Sequence, residues 1–100
     1  MIFNSPTVQK YILSGANVVA TIRRKGYYRE GKRVIVKVGD KRFYGKVIAI
    51  APLTPFSLSQ YADYSGFESV EEWIAEAERL HKTRPDPNKF EIVVVELSRS

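Results

Sequence analysis

The chain has no cysteine and a single histidine, His81, among its 100 residues. Without cysteine it can form neither a disulfide framework nor a thiolate metal site, and it has no thiol nucleophile. A zinc site around one histidine would need mostly carboxylate ligands, which is an uncommon set. We therefore expect no metal and no cofactor.

Long hydrophobic runs are also missing. No apolar stretch approaches the roughly 20 residues that a membrane-spanning helix needs, and the first residues lack the basic and apolar regions of a signal peptide. We therefore expect a cytoplasmic protein with no membrane partner. Few Asn and Gln beside many Glu, Lys and Arg resemble the usage of thermophile proteins.

The size and composition predict one globular domain, 1–100. A chain of this length buries roughly two-thirds of its unfolded surface but is too short for two independent cores. With 44% hydrophobic and 27% charged residues it is neither disordered nor fibrous.

The net charge of +5 is distributed unevenly. Lysines and arginines crowd residues 23–46, whereas residues 63–78 carry only acidic charges. Such a dipolar domain steers a polyanion toward one side. Basic residues that merely solubilise sheet edges are the plain alternative. The aromatic residues interleaved at 27–28 and 43–44 favour a functional basic face, because aromatic rings stack on nucleobases.

Apolar spacing and the Gly and Pro positions predict a mixed α and β order. The predicted elements are a helix from Ser5 to Gly15, strands over 18–25, 33–38 and 41–51, a short helix capped by Ser57, a helix over 69–82 and a strand over 90–97. Gly26 to Gly31 form an exposed loop, and Gly39-Asp40 form a two-residue hairpin turn.

The first strand carries the candidate ligand-binding groups. Its alternation predicts that Val18, Val19 and Ile22 face the core while Thr21 and Arg23 share the opposite face. That face is available for a ligand. The alternative is a half-buried strand whose polar face is only hydrated.

Other positions indicate packing. Gly45 predicts a bulge or a close approach of another backbone or a ligand. Ser69 and Glu72 form a predicted capping box, and helical spacing predicts that Trp73 belongs to the core and that the acidic residues of its helix are solvated. The last strand is apolar on both faces, which predicts a central position in the sheet.

The order of YILSG, TIR, a basic hairpin, SGFESVEEW and FEIVVVEL is similar to that of the ASCH domain, a relative of the PUA domain. The resemblance covers nearly the whole chain. It implies an α+β fold, namely a small, partly open PUA-like β-barrel with flanking helices. It also implies a cleft between barrel and helices, lined by the TIR and GF segments. ASCH domains are thought to bind RNA, and some small bacterial members are amidohydrolases that deacetylate N4-acetylcytidine.

We accordingly predict a nucleic-acid-binding domain, RNA preferred, with a nucleotide-size cleft. The expected partner is RNA or another single-stranded nucleic acid. The residues predicted to bind it are Asn17, Thr21, Arg23, Arg24, Lys25, Tyr27, Tyr28, Arg29, Lys41, Arg42 and Lys46. The residues predicted to line the cleft are Ser65, Gly66 and Phe67.

The alternative function is an amidohydrolase acting on a modified nucleoside. The chain is similar to those enzymes at Gly15, Thr21 and Arg23. They carry a lysine where this chain has Val18, and a glutamate near the position of residues 65–67. The resemblance therefore supplies Thr21 as the catalytic candidate without its activating base.

A threonine hydroxyl is a weak nucleophile without a neighbouring base. Lys46 and Glu68 are the candidates for approaching Thr21 from elsewhere in the fold. A nuclease would face the same lack of a general base. A protein-interaction role through the acidic helix and exposed Tyr61, Tyr64 or Phe67 is the remaining alternative.

Overall fold

A computed structural model describes residues 1–98, which form an α+β fold with four strands and three α-helices. The helices are α1 (Pro6–Leu13), α2 (Pro55–Tyr61) and α3 (Val70–His81), and a short 3₁₀ turn (Ala62–Tyr64) follows α2. The strands are β1 (Val18–Arg24), β2 (Arg33–Val38), β3 (Lys41–Pro52) and β4 (Phe90–Ser98).

The strands form one antiparallel sheet in the order β1-β4-β3-β2. Strand β4 lies between β1 and β3, and its residues 92–95 are all buried. This confirms the central position predicted from its apolar residues on both faces. Within residues 1–98 the sheet is not closed, because β1 and β2 remain its two edges.

Each face of the sheet has its own hydrophobic core. On one face Val19, Val36 and Val95 pack with Val8 and Ile12 of α1, and we call this the α1 core. The other face forms the α3 core. Its buried residues include Ala20, Ile22, Leu58, Trp73, Phe90, Ile92 and Val94. The predicted core position of Trp73 is confirmed, since only 3% of its surface is exposed.

The predicted division of β1 is correct for Thr21 and Arg23, which lie opposite Val18 and Ile22, but it is wrong for Val19. Val19 packs in the α1 core, whereas Val18 and Ile22 pack on the α3 core. By alternation, Thr21 and Arg23 lie on the same face as Val19. The prediction failed because it assumed one covered face, and β1 is covered on both.

The first residues link the two edges of the sheet. Ile2 forms a parallel bridge with Lys37 on β2, and the Lys37 carbonyl accepts a hydrogen bond from the Phe3 N–H at 3.1 Å. The Lys37 N–H in turn donates to the Met1 carbonyl at 2.8 Å. From β1, Nη2 of Arg23 donates to the Ile2 carbonyl at 2.8 Å. The N-terminal segment therefore contacts both β2 and β1.

Helices α2 and α3 both begin with a hydroxyl N-cap, as predicted, but the capping residue of α2 differs from the predicted one. The N-cap of α2 is Thr54, whose hydroxyl accepts the Ser57 N–H at 3.2 Å, so the predicted cap at Ser57 is wrong. Pro55, suited to the first turn, sets this earlier start. At α3 the Ser69 hydroxyl accepts the Glu72 N–H at 3.1 Å as predicted. The returning carboxylate of Glu72 accepts from the Glu68 N–H at 3.3 Å, one residue before the expected partner.

Gly45 marks a close approach of β4 to β3. A Cβ at this position would lie 2.7 Å from Cγ1 of Val95 and 3.3 Å from the Glu96 carbonyl oxygen. The register irregularity of β3 occurs further on, between Val47 and Ala49. Of the two predicted roles for Gly45, the structure therefore has the close approach.

Candidate functional site

A pocket lies between the outer edge of β1, helix α3 and the N-terminal segment. Its volume is about 180 Å³, below the roughly 300–1,000 Å³ of pockets that hold drug-sized ligands. It has room for one small planar or anionic group. The polar side chains that line it include Ser5, Thr21, Arg23, Glu76 and His81.

The edge of β1 supplies backbone groups to this pocket. The Leu97 N–H donates to the Asn17 carbonyl at 2.7 Å, so Asn17 directs its carbonyl toward β4. Backbone groups alternate in direction along an antiparallel strand. Val18, Ala20 and Ile22 therefore direct their N–H and C=O groups away from β4, toward the outer edge.

Side chains occupy both ends of that edge. The Tyr11 hydroxyl donates to the Val18 carbonyl at 2.8 Å, and His81 lines the pocket at the Ile22 end. Between them, Ala20 lines the pocket. Its N–H and C=O give the pocket an adjacent donor and acceptor, a pattern that complements an amide or the edge of a nucleobase.

Arg23 is the cation of the pocket. Its Nε donates to Oγ1 of Thr21 at 3.1 Å and its Nη2 to the Ile2 carbonyl at 2.8 Å. The guanidinium carbon lies 4.8 Å from the centre of the Phe3 ring. Burial lowers the pKa of Arg23. Within residues 1–98 no carboxylate oxygen lies within 4.0 Å of this guanidinium, and its Nη1 makes no hydrogen bond.

Glu76 forms the acidic side of the pocket. Its carboxylate accepts a hydrogen bond from the Ser5 hydroxyl at 2.6 Å and pairs with Arg79 on the next turn. The hydrogen bonds from Arg79 and Ser5 lower the pKa of Glu76, so it is ionised at neutral pH. The exposed Glu71 and Glu78 agree with the predicted solvated face of α3, but Glu76 does not, because α1 begins against it.

His81, the last residue of α3, reaches the other end of the pocket. Burial and the charge of Arg23 lower the pKa of His81 below its ordinary value, so the imidazole is neutral at pH 7. Its ring meets the Phe90 ring edge to face, with centroids 4.9 Å apart. The imidazole is therefore held in place beside the β1 edge.

The catalytic alternative at Thr21 gains no base from the predicted residues. Lys46 and Glu68 do not line the pocket. His81 and Glu76 do line it, yet neither makes a hydrogen bond to Thr21 within residues 1–98. Sequence reasoning missed these two side chains because α3 is far from β1 along the chain and no spacing links them.

The predicted cleft residues have different roles. Phe67 lines the pocket and packs against both cores. Ser65 is fully buried; it donates to the Ala62 carbonyl at 2.6 Å and accepts the Phe67 N–H at 3.1 Å. Gly66 lies against the Tyr11 ring, where an added Cβ would be 3.1 Å from the Tyr11 Cβ. Ser65 and Gly66 therefore shape the turn that carries Phe67.

Most of the predicted nucleic-acid-binding residues lie outside the pocket, which only Thr21 and Arg23 of that set line. Tyr28 is half-buried and packs against the α1 core. The exposed members of the set are Asn17, Arg24, Lys25, Tyr27, Arg29, Lys41, Arg42 and Lys46.

The outward side of the β2–β3 hairpin is a second candidate surface. The strand register places three exposed pairs side by side, which we call the hairpin face. These pairs are Arg33 with Lys46, Ile35 with Tyr44, and Lys37 with Arg42. The central pair is apolar and aromatic, with Ile35 43% and Tyr44 74% exposed.

The hairpin face is the uncovered half of one side of the sheet. Lys46 pairs with Glu96 on β4, and Glu96 alternates with Val94 and Ile92 of the α3 core. Helices α2 and α3 thus cover the β1–β4 half of this side and leave the hairpin half exposed. Beyond the register shift, Ala49 packs on the α3 core.

The chain is 58% identical over 100 residues to "Uncharacterized protein 105" of Sulfolobus islandicus rod-shaped virus 1. The match covers 100% of this chain and 95% of the viral protein. The chain belongs to the family of this viral protein. Comparison with protein-family profiles and with solved structures gave no match. Among residues 1–98 no helix is long and apolar enough to cross a membrane.

Proposed function

We propose that this protein is a nucleic-acid-binding domain that prefers RNA and holds part of one nucleotide in the pocket beside β1. Arg23 carries the proposal. Arg23 is half-buried, and within residues 1–98 no carboxylate pairs with its guanidinium, a group that binds phosphate or a base edge through two parallel hydrogen bonds. Within residues 1–98 its Nη1 makes no hydrogen bond.

The size and polarity of the pocket support a nucleobase or a phosphate as the bound part. A volume of about 180 Å³ is small for a complete nucleotide in an enclosed site. Ala20 offers an adjacent N–H and C=O, and the neutral imidazole of His81 adds no second positive charge. We therefore propose that the cleft, predicted to hold a whole nucleotide, holds one nucleobase or one phosphate. The rest of the nucleic acid then lies outside the pocket.

The charge distribution supports a polyanionic ligand. Basic residues over 23–46 and acidic residues over 63–78 give the domain a strong dipole, and such fields raise the rate of association with polyanions. Nucleic acid in the cytoplasm is the abundant ligand of this charge.

The ASCH-like, PUA-like classification is part of the same proposal. Two features support it: the N-terminal segment links the edges of the open sheet, as in a partly open barrel, and the pocket lies between sheet and helix. Thr21 and Arg23 from the TIR segment and Phe67 from the GF segment line that pocket.

The amidohydrolase is the second candidate, favoured by one observation. Thr21 and a neutral His81 line the same pocket. A general base must come within about 2.6–3.2 Å of the proton that it takes, and in this state the Thr21 hydroxyl instead accepts from Arg23. Release of cytidine from N4-acetylcytidine by the wild type, lost in Thr21→Val, would establish this activity.

Fluorescence anisotropy with labelled single-stranded RNA, duplex RNA and single-stranded DNA, at two salt concentrations, tests the binding function. We expect the wild type to bind RNA more tightly than DNA, with an affinity that falls with salt. Arg23→Lys retains the charge but loses the planar fork, and we expect it to weaken binding. Lys10→Gln, an exposed cation on α1 outside the pocket and outside the predicted binding residues, is the matched control. Absence of binding at low salt to all three ligands would reject the proposal.

A further inference from the structure

The hairpin face carries charges that folding does not explain. Cross-strand neighbours of like charge are destabilising when they lie directly opposite each other, yet Arg33 faces Lys46 and Lys37 faces Arg42. Cations on an edge strand protect it from pairing with other chains, which accounts for Arg33 and Lys37 on β2. It does not account for Arg42 and Lys46, because β3 is an interior strand.

The aromatic residue between these pairs is also unexplained by packing. Tyr44 is 74% exposed, and its ring makes no ring–ring or cation–π contact within residues 1–98. Its cross-strand neighbour Ile35 is 43% exposed. The β2–β3 strand pair thus presents an aromatic ring and an aliphatic side chain to the outside.

The spacing fits one ligand class. Residues two apart on a strand are about 6.6–6.8 Å apart. One cation pair therefore lies at that distance on each side of the Ile35–Tyr44 pair. An aromatic ring between cations suits a single-stranded nucleic acid, whose bases can stack on the ring while its phosphates contact the cations. Proteins that bind single strands without sequence preference combine these two kinds of contact. A duplex keeps its base faces stacked inside and offers only phosphates and groove edges.

We infer that the hairpin face binds single-stranded nucleic acid, with one base stacked on Tyr44 and its flanking phosphates on the Arg33–Lys46 and Lys37–Arg42 pairs. The inference rests on the proposed function and adds a second contact region outside the pocket. Glu96, beside Lys46 on β4, ends the positive surface on that side. The strand therefore follows the hairpin and does not cross the sheet.

The test is anisotropy of a labelled 12-nucleotide oligouridylate with Tyr44→Ala, Tyr44→Phe and Phe56→Ala. Loss of one base–aromatic stack weakens binding by about 5- to 100-fold, and we expect that loss in Tyr44→Ala alone. Tyr44→Phe retains the ring and should bind like the wild type. Phe56 is 79% exposed and lies on α2, outside both the pocket and the hairpin face, so Phe56→Ala is the matched control.

A double variant tests the cations. Lys37→Gln with Arg42→Gln removes the pair that holds one flanking phosphate, so it should lower the slope of log affinity against log salt by about 0.7, the contribution of one single-strand phosphate contact. Circular dichroism verifies that each variant is folded.

The outcomes separate this inference from the proposed function. If Tyr44→Ala and the double variant bind like the wild type while Arg23→Lys loses affinity, the pocket binds alone and the inference is overturned. Loss in Tyr44→Ala without loss in Arg23→Lys would support the hairpin face and reject the pocket. A wild type that binds no oligonucleotide at low salt overturns both.

Discussion

Arg23 on one edge strand donates a hydrogen bond through Nη2 to the carbonyl of Ile2, at 2.8 Å, while Ile2 is bridged to the other edge strand. The same guanidinium lines the pocket. Arg23 therefore has two roles: it ties the N-terminal segment to β1, and it supplies the positive charge of the candidate site. A ligand on Nη1 would add to these contacts without displacing them.

The structural role of Arg23 predicts a stability loss. Arg23→Ala removes hydrogen bonds to Thr21 and Ile2 and the contact with the Phe3 ring. Hydrogen bonds of charged groups are worth about 1.5–3 kcal/mol, and desolvation of the cation offsets part of this. We expect the free energy of unfolding to fall by about 1–3 kcal/mol in urea denaturation. Lys25→Ala, the exposed control, should change it by less than about 0.5 kcal/mol; equal effects would show that Arg23 does not hold the segment.

Gly45 predicts a second stability loss. The Cβ of Gly45→Ala would lie 2.7 Å from Cγ1 of Val95, and the fully buried Val95 belongs to the packed central strand. Overpacking of this kind costs about 1–3 kcal/mol. Thermal unfolding should therefore show a lower midpoint for Gly45→Ala than for Lys46→Ala, an exposed substitution on the same strand. A Gly45→Ala midpoint at or above the wild-type value would mean that the strands separate readily here.

Acid should destabilise the protein through Glu76. Its pKa in the folded protein lies below the ordinary value of 4.5, through Arg79 and then Ser5. The folded state thus favours the ionised form, and this stabilisation is complete above the unfolded pKa and lost as the pH falls through the folded pKa. Glu76→Gln should unfold with a weaker dependence on pH below about 5. An unchanged acid profile would show that Glu76 is not stabilised by its partners.

His81 provides a direct probe of the pocket, because it is the single histidine of the chain. Burial and the charge of Arg23 lower its pKa below 6.5 in the folded protein. The stability that depends on the neutral imidazole is therefore present above pH 6.5 and lost as the pH falls through the folded pKa. An NMR titration should give a midpoint below 6.5, and a phosphate group bound beside His81 should raise it. If the His81 titration midpoint is the same with and without single-stranded RNA, the RNA binds outside the pocket.

The sequence predicted the parts of the fold that depend on local patterns. The apolar residues 92–95 predicted a central strand, Gly39-Asp40 predicted the hairpin turn that joins Val38 to Lys41, and helical spacing predicted burial of Trp73. The sequence-based prediction failed for β1, which packs against a hydrophobic core on each of its two faces. Val18 and Val19 look equivalent along the chain, but they face different cores.

The candidate site was predictable only in part, because it combines distant segments. Thr21, Arg23 and Phe67 were expected at a cleft and line the pocket. Glu76 and His81 had no sequence signal for it, since α3 reaches β1 only through packing of the α3 core. The hairpin face was hidden for a different reason: cross-strand pairing depends on register, which the composition of residues 33–46 does not contain.

The most direct test of nucleic-acid binding is an NMR titration of the isotope-labelled protein with a short single-stranded RNA, following each backbone amide. Binding at both regions should give dose-dependent shifts of the Ala20 and Ile22 amides in the pocket and of the Tyr44 amide on the hairpin face. The amides of α2, outside both regions, should remain unchanged. Spectra that do not change at excess RNA in low salt would contradict nucleic-acid binding by this protein.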